Sequence, residues 1–208
     1  MTPFNQFLKT YPSYASTHAL DALRASQYAR LDAQEQVYLD FTGGGLHAAS
    51  QVQEHVRMLN EEVLGNPHSV NPSSTKMTRR VEEARAAVLD YFNGAAEYTA
   101  IFTLNASAAL KLVGESYPFG PGGRLLLTRD NHNSVNGLRE FAKKGGASVA
   151  YAPLTRPELR VDVTALDALL AQADGARPNL MAFPAQSNFS GVKHPLALVA
   201  SARAAGWH

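Results

Sequence analysis

Short apolar runs alternate with amphipathic segments over the second half of the chain. The apolar runs are 99–103, 124–128, 147–151 and 179–183. Each is followed by a segment with helical spacing of its apolar residues, at 106–116, 135–144, 163–173 and 195–205. Successive strand–helix units predict right-handed crossovers and a mostly parallel sheet flanked by helices. We therefore expect an α/β fold.

The first half has a different pattern. Residues 1–36 are predicted to form an N-terminal helical arm, because Leu20, Leu23, Tyr28 and Leu31 recur on one helical face. A short strand, Val37–Phe41, is expected next, followed by helices at 48–63 and 74–92. The predicted domains are the arm, 1–36, and a main α/β domain, 37–208.

The last three residues look like a helix end followed by a new strand. Gly206 is placed as a helix C-cap, and Trp207-His208 resembles the opening of a buried strand. We therefore expect the domain to continue beyond residue 208.

Composition and charge exclude several classes of function. Nineteen Lys and Arg against eighteen Asp and Glu give a net charge of +1, without the basic excess of nucleic-acid-binding domains. No apolar run approaches membrane-spanning length, and the N-terminus lacks a secretory pattern, which predicts a cytoplasmic protein. The absence of Cys excludes disulfides and a thiol nucleophile within this stretch. The seven His lack ligand spacing, so no metal site is expected.

Ligands of parallel sheets bind where strands lead into helices, so the loops there are the candidate sites. The first, Gly43-Gly44-Gly45 through Ala48, fits G-x-G-x-x-A but lacks the acidic residue that completes a dinucleotide fingerprint. A tight turn and a loop for another ligand remain alternatives.

Three later loops carry polar side chains. Asn105–Ser107 offers an anion site at a helix N-terminus, or only a helix cap. In Asp130–Ser134, His132 is suited to stack on a planar ligand or shuttle a proton, unless it is merely exposed beside a cap at Asn133 or Ser134. Gln186 and Asn188 offer amides to a ring oxygen or hydroxyl.

Together these loops resemble those of fold-type I pyridoxal phosphate (PLP) enzymes. The resemblance is to the class V aminotransferase and cysteine desulfurase superfamily, and within it to the PLP domain of molybdenum cofactor sulfurases. It covers the chain from about Tyr38 to the end. The matching segments are YLD at 38–40, GNPHS at 65–69, FT at 102–103, ASAALKLVGE at 106–115, DNHNSVNGLRE at 130–140 and FPAQSNFSGV at 183–192.

The resemblance implies roles for matched positions. Ser107 and the amides of Ala106 and Ser107 would hold the PLP phosphate, His132 would stack on the pyridine ring, and Asn188, with Gln186 beside it, would contact the phenolic oxygen. Six residues would border the substrate: Asp40, Gly43, Gly44, Asn66, His68 and Ser69.

The resemblance also implies that catalytic groups are absent from this stretch. The Asp that pairs with the pyridinium nitrogen, the Schiff-base Lys and the desulfurase Cys would all follow residue 208. Leu104 and Asn105 replace the family's usual Ser and Gly in the phosphate loop, although Asn tolerates left-handed backbone.

The function implied is transfer of sulfur from L-cysteine, through a persulfide, to an acceptor that the sequence does not identify. The complete protein is expected to be a homodimer, and the 208 residues alone to be inactive. The alternatives are another class V aminotransferase or lyase, or a non-catalytic fragment.

Overall fold

The computed structural model describes residues 2–41 and 43–208. It divides into two compact units, one reaching to Ala100 and the other spanning Ile101–His208. Each unit is described by itself.

The first unit is helical over most of its described length. Its helices are α1 (Pro3–Thr10), a 3-10 helix (Pro12–Thr17), α2 (Ala19–Gln27), α3 (Ala29–Ala33), α4 (Ala49–Glu61) and α5 (Pro72–Tyr91). The helical arm is thus built from three α-helices and a 3-10 turn. The longest helix, α5, begins at an Asn71 cap that accepts the Ser74 N–H. It ends at Asn93-Gly94 as predicted, with Asn93 in the left-handed conformation that closes a Schellman motif.

The predicted strand Val37–Phe41 is wrong. The segment has no strand partner within the described residues of this unit, and Val37 and Leu39 are 80% and 88% exposed. A β-rich apolar run becomes a strand only when a neighbouring backbone accepts its hydrogen bonds.

The second unit has the predicted α/β architecture. It runs α6 (Ala106–Ser116), β1 (Arg124–Thr128), α7 (Asn133–Asn136), α8 (Leu138–Lys144), β2 (Ser148–Ala152), α9 (Val163–Leu170), β3 (Asn179–Ala182) and α10 (Ala197–Ala204). The three strands form a parallel sheet in the order β2-β1-β3. Leu126 at its centre is in register with Ala150 and Met181.

Both faces of the central strand are buried. Leu125 and Leu127 pack on one face with Leu138 and Ala142 of α8. Leu126, between them, points to the other face. It packs there in a cluster with Val161, Leu166, Leu170, Leu198, Ala202 and Trp207. This two-sided burial explains why β1 reads as an uninterrupted apolar run.

The second wrong strand is Thr99–Thr103, which belongs to none of the strands of the sheet; Ile101, for example, is 68% exposed. The sheet among the described residues of the second unit therefore has three strands where four had been predicted from the apolar runs.

The last residues pair with the sheet. Gly206, at φ 80°, closes a Schellman motif in which the Trp207 N–H reaches Ala202 O. The His208 N–H donates to Asn179 O at 2.8 Å, and the Met181 N–H donates to His208 O at 2.9 Å. His208 thus extends the sheet beside β3. No helix among the described residues is long and apolar enough to cross a membrane.

Candidate functional site

The N-terminus of α6 presents unpaired amide groups. Asn105 caps the helix by accepting the Ala108 N–H at 2.9 Å, and its φ of −169° is ordinary extended backbone. The family's glycine is therefore not required here for a left-handed turn. The N–H groups of Ala106 and Ser107 meet no acceptor within the part of the chain that the structure describes. Because Asn105 supplies the cap, the Ser107 hydroxyl is available for other contacts.

A chain of hydrogen bonds joins that helix to the loop after β1. The Ser107 and Ser134 hydroxyls lie 2.6 Å apart, and Ser134 Oγ lies 3.0 Å from His132 Nδ1. Two of the segments that the sequence singled out therefore lie together in space, although 27 residues separate the two serines.

His132 itself caps the short helix α7, where Asn133 or Ser134 had been the expected cap. Its Nδ1 accepts the Ser134 N–H at 3.1 Å, so a neutral ring carries its hydrogen on Nε2. The side chain is exposed. The cap fixes the orientation of the ring and leaves it accessible to a ligand.

A pocket of about 340 Å³ lies beside His132. The loop after β3 contributes Asn188 to its lining, so the side chains proposed for ring stacking and for the phenolic oxygen share one cavity. Apolar walls come from Leu154 and Leu159, and Arg129 adds a guanidinium. The remaining lining residues are Asp130, Asn131, Asn133, Phe189 and Ser190.

The loop that carries Asn188 is held by Ser187, which is fully buried. Its hydroxyl accepts the N–H groups of Phe189 and Ser190, each at 3.3 Å. Gln186 forms an isolated antiparallel bridge with Lys193 and is exposed. Among the described residues, those lining the pocket do not include Gln186, so it is set apart from its neighbour Asn188.

One of the lining residues, Asp130, belongs to a buried pair. His194 Nε2 is 2.7 Å from Asp130 Oδ2, and the two side chains are 0% and 3% exposed. Asn131 makes a second link, because its Nδ2 donates to Thr128 O and to Ala182 O at 3.1 and 3.0 Å. Sequence reasoning missed the pair, since nothing local connects positions 64 apart.

In the first unit, the glycine run forms a turn around Asp40. The Asp40 carboxylate accepts the Gly43 N–H at 3.1 Å, and Asp40 O accepts the Gly44 N–H at 2.9 Å. The Tyr38 hydroxyl donates to Gly44 O at 2.6 Å. A Cβ on Gly43 would lie 2.6 Å from the Asp40 carboxylate oxygens, so a larger residue here would require the Asp40 side chain to move. This compact turn, which does not follow a paired strand, fits the tight-turn interpretation better than the dinucleotide one.

The Asn66–Ser69 loop is seated on the start of α5. His68 has a left-handed φ of 68°, and its N–H donates to the Thr78 hydroxyl at 2.7 Å. Ser69 O accepts from the Thr75 hydroxyl. Asn66, His68 and Ser69 are all exposed, and accessible polar side chains are what a substrate-bordering role requires.

No group of three or more His, Asp or Glu side chains in residues 2–41 and 43–208 is arranged to hold a metal ion. The polar side chains that do converge in the second unit form a cavity with an imidazole, amides and a guanidinium. Such a set is suited to a flat, polar organic ligand.

Comparison with known proteins identifies the family. The model of the class-V aminotransferases matches residues 37–207. The chain belongs to this family. It is 36% identical over 209 residues to a molybdenum cofactor sulfurase of Solanum lycopersicum, covering 90% of this chain and 25% of the relative. It is 38% identical over 197 residues to the molybdenum cofactor sulfurase of Homo sapiens, covering 91% and 22%. The chain thus spans about a quarter of the length of these curated relatives.

Solved structures share the fold of this class-V aminotransferase chain. The cysteine desulfurase CsdA of Escherichia coli superposes with a TM-score of 0.71 at 26% identity, covering 90% of this chain and 46% of that one. The apo cysteine desulfurase of Thermococcus onnurineus gives 0.74 at 24% identity, covering 90% and 45%. The predicted α/β class and the family resemblance are confirmed.

Proposed function

We propose that the second unit holds pyridoxal phosphate in a cysteine desulfurase-like protein. The observation that carries the proposal is the connection of an open helix N-terminus to an accessible imidazole through Ser107 and Ser134, beside a pocket lined by His132 and Asn188. A solved structure of the same fold, 16% identical with a TM-score of 0.60, carries glycine covalently linked to its PLP cofactor.

The residues present fit the two chemical ends of this cofactor. At α6, the unpaired N–H groups of Ala106 and Ser107 and the Ser107 hydroxyl suit a phosphate, which is favoured further by the helix dipole. His132 has an exposed ring held in one orientation, which suits stacking on a pyridine. The cofactor, when bound, supplies an electron sink.

The pocket residues would orient the cofactor and shield its ring from water. Asn188 has an amide that can donate to a ring oxygen, and Leu154 and Leu159 supply apolar contact area. That Gln186 contacts the cofactor stays a prediction, supported only by the exposure of its side chain. Asp40, Gly43, Gly44 and the 66–69 loop stay predictions for the substrate side.

The reaction that we propose for the whole protein is removal of sulfur from L-cysteine, as the names of the relatives suggest. The sequence has no Cys, so a persulfide-forming thiolate would come from outside these 208 residues. A homodimeric whole protein and a sulfur acceptor stay predictions. Another class-V PLP reaction is the second candidate, because the family includes aminotransferases.

The first test is cofactor binding by this chain, measured by titration with PLP and followed by the absorbance of the cofactor. Wild type should bind, and His132→Ala and Asn188→Ala should each weaken binding about tenfold, the usual effect of removing one well-placed contact. Phe4→Ala, in the helical arm of the first unit, is the control and should bind like wild type.

Borohydride treatment should not fix the cofactor covalently to any lysine of these 208 residues. Covalent capture on one of them, shown by peptide mass spectrometry, would contradict the expected inactivity of this stretch. On the whole protein, release of sulfur from L-cysteine distinguishes a desulfurase from a transaminase; amino transfer without sulfur release would favour the second candidate.

A further inference from the structure

The buried pair of Asp130 and His194 joins two loops that are far apart in the sequence. Asp130 lies two residues before His132, in the loop that follows β1. His194 closes the loop that carries Asn188, and its backbone N–H donates to Ala185 O at 3.1 Å. The 2.7 Å contact between Nε2 and Oδ2 therefore connects the loop after β1, which carries His132, to the loop after β3, which carries Asn188.

Burial of the Asp130–His194 pair costs free energy, so the pair is not explained by stability alone. Asp130 Oδ1 and His194 Nδ1 are both buried, and neither has a hydrogen-bond partner among the residues that the structure describes. Taking such groups out of water costs free energy, and an apolar pair of similar size often stabilises a fold as well or better. What apolar side chains lack is direction, because a hydrogen bond sets the distance and angle between its two partners.

The position of the pair matches such a directional role. Asp130 lines the pocket together with His132. Ser187, within the other loop, organises Phe189 and Ser190 locally but forms no side-chain bond to the β1 loop among the described contacts. Asn131 connects the ends of β1 and β3 by donating to Ala182 O, which precedes the loop that carries Asn188. The Asp130–His194 bond reaches the far end of that loop.

We propose that Asp130 and His194 form a positioning pair that holds the His132 loop at a fixed spacing from the Asn188 loop. The spacing defines the width of the pocket for a flat ring. The identity of that ring as PLP rests on the proposed function, whereas the spacing itself is a property of this chain without ligand.

The test compares His194→Leu with His194→Gln by amide hydrogen exchange. Leu removes the donor, while the Gln amide nitrogen can occupy nearly the position of Nε2. In His194→Leu, exchange of the Ser134 and Ser190 N–H groups should rise about tenfold, because these bonds close the two loops. His194→Gln should restore most of the protection.

Two sets of controls separate positioning from general loss of stability. The amides of Arg124 and Ser148, bonded to Pro178 O and Gly123 O at the opposite end of the sheet, should exchange as in wild type. Asn179→Ala is the matched variant, because it removes a fully buried side chain that donates to Asp174 O and Arg177 O at that opposite end. It should not open the two loops selectively.

Unchanged exchange at Ser134 and Ser190 in His194→Leu, or an equal rise at all four amides, would overturn the proposal. If His194→Leu does not fold, Asp130→Leu, which removes the acceptor of the same bond, is read at the same amides by the same criterion. PLP titration gives the second readout: affinity should fall about tenfold in His194→Leu and recover in His194→Gln. Wild type that binds no PLP would refute the proposed function, while the exchange data would still decide the positioning role.

Discussion

Ser107 allows the phosphate site to be tested separately from the ring site. Its hydroxyl faces Ser134 Oγ at 2.6 Å, and it occupies the second position of α6, beside the unpaired Ala106 and Ser107 amides. We predict that Ser107→Ala weakens the binding of the phosphorylated cofactor and leaves the binding of its unphosphorylated form, pyridoxal, nearly unchanged.

The effect on folding should be small because two contributions oppose each other. Ala is the better helix former, by about 0.5 kcal/mol. The lost Ser107–Ser134 bond is worth about 1 kcal/mol. The free energy of unfolding should therefore change by less than about 1 kcal/mol. A hydroxyl bonded to a charged phosphate is worth about 1.5–3 kcal/mol, so the dissociation constant for PLP should rise about tenfold to a hundredfold.

The assay is calorimetric titration of wild type and variant with PLP and with pyridoxal. Ser116→Ala, an exposed change at the other end of the same helix, is the matched control and should bind both ligands like wild type. Equal weakening for PLP and pyridoxal, or no weakening for PLP, would refute the assignment of the phosphate to this helix end.

Three further predictions concern stability. Hydrogen bonding by Lys76 at 3.0 Å lowers the pKa of Glu62, and the charge of Arg80 lowers it further, whereas partial burial raises it. The ionised Glu62 carboxylate therefore stabilises the folded state at pH values above its unfolded pKa. This stabilisation is lost as the pH falls below about 4.5. In Glu62→Gln, the free energy of unfolding should fall less steeply at acid pH than in wild type, as measured by urea unfolding at several pH values. The same dependence in variant and wild type would argue against the ion pairs. Leu166→Ala should cost about 2–5 kcal/mol because the side chain is fully buried, with unfolding followed by the fluorescence of the single tryptophan, Trp207. Gly206→Ala should cost about 1 kcal/mol in the same assay through backbone strain at φ 80°, since the nearest atom to a new Cβ is 3.9 Å away; a loss well above this would point to a steric cause.

The sequence alone determined those helices and strands whose signal lies within their own residues. Strand β1 and helix α6 have the predicted bounds, 124–128 and 106–116, because a two-sided apolar run and a capped amphipathic segment each carry their own signal. Strand β2 is shifted by one residue and β3 is one residue shorter. The apolar runs at 37–41 and 99–103 have the same local signal but do not join the described sheet, because a strand also depends on a hydrogen-bonded neighbour.

The candidate site divides in the same way. The loops that carry Ser107, His132 and Asn188 could be located from the sequence, because side chains at the ends of parallel strands are where ligands bind. Their connections depend on tertiary structure: Ser134 bridges Ser107 to His132, and Asp130 pairs with His194, across 27 and 64 residues. The spacing of apolar residues along one element predicts which face of that element a side chain occupies. A contact between two loops forms only when the sheet places the two strand ends side by side.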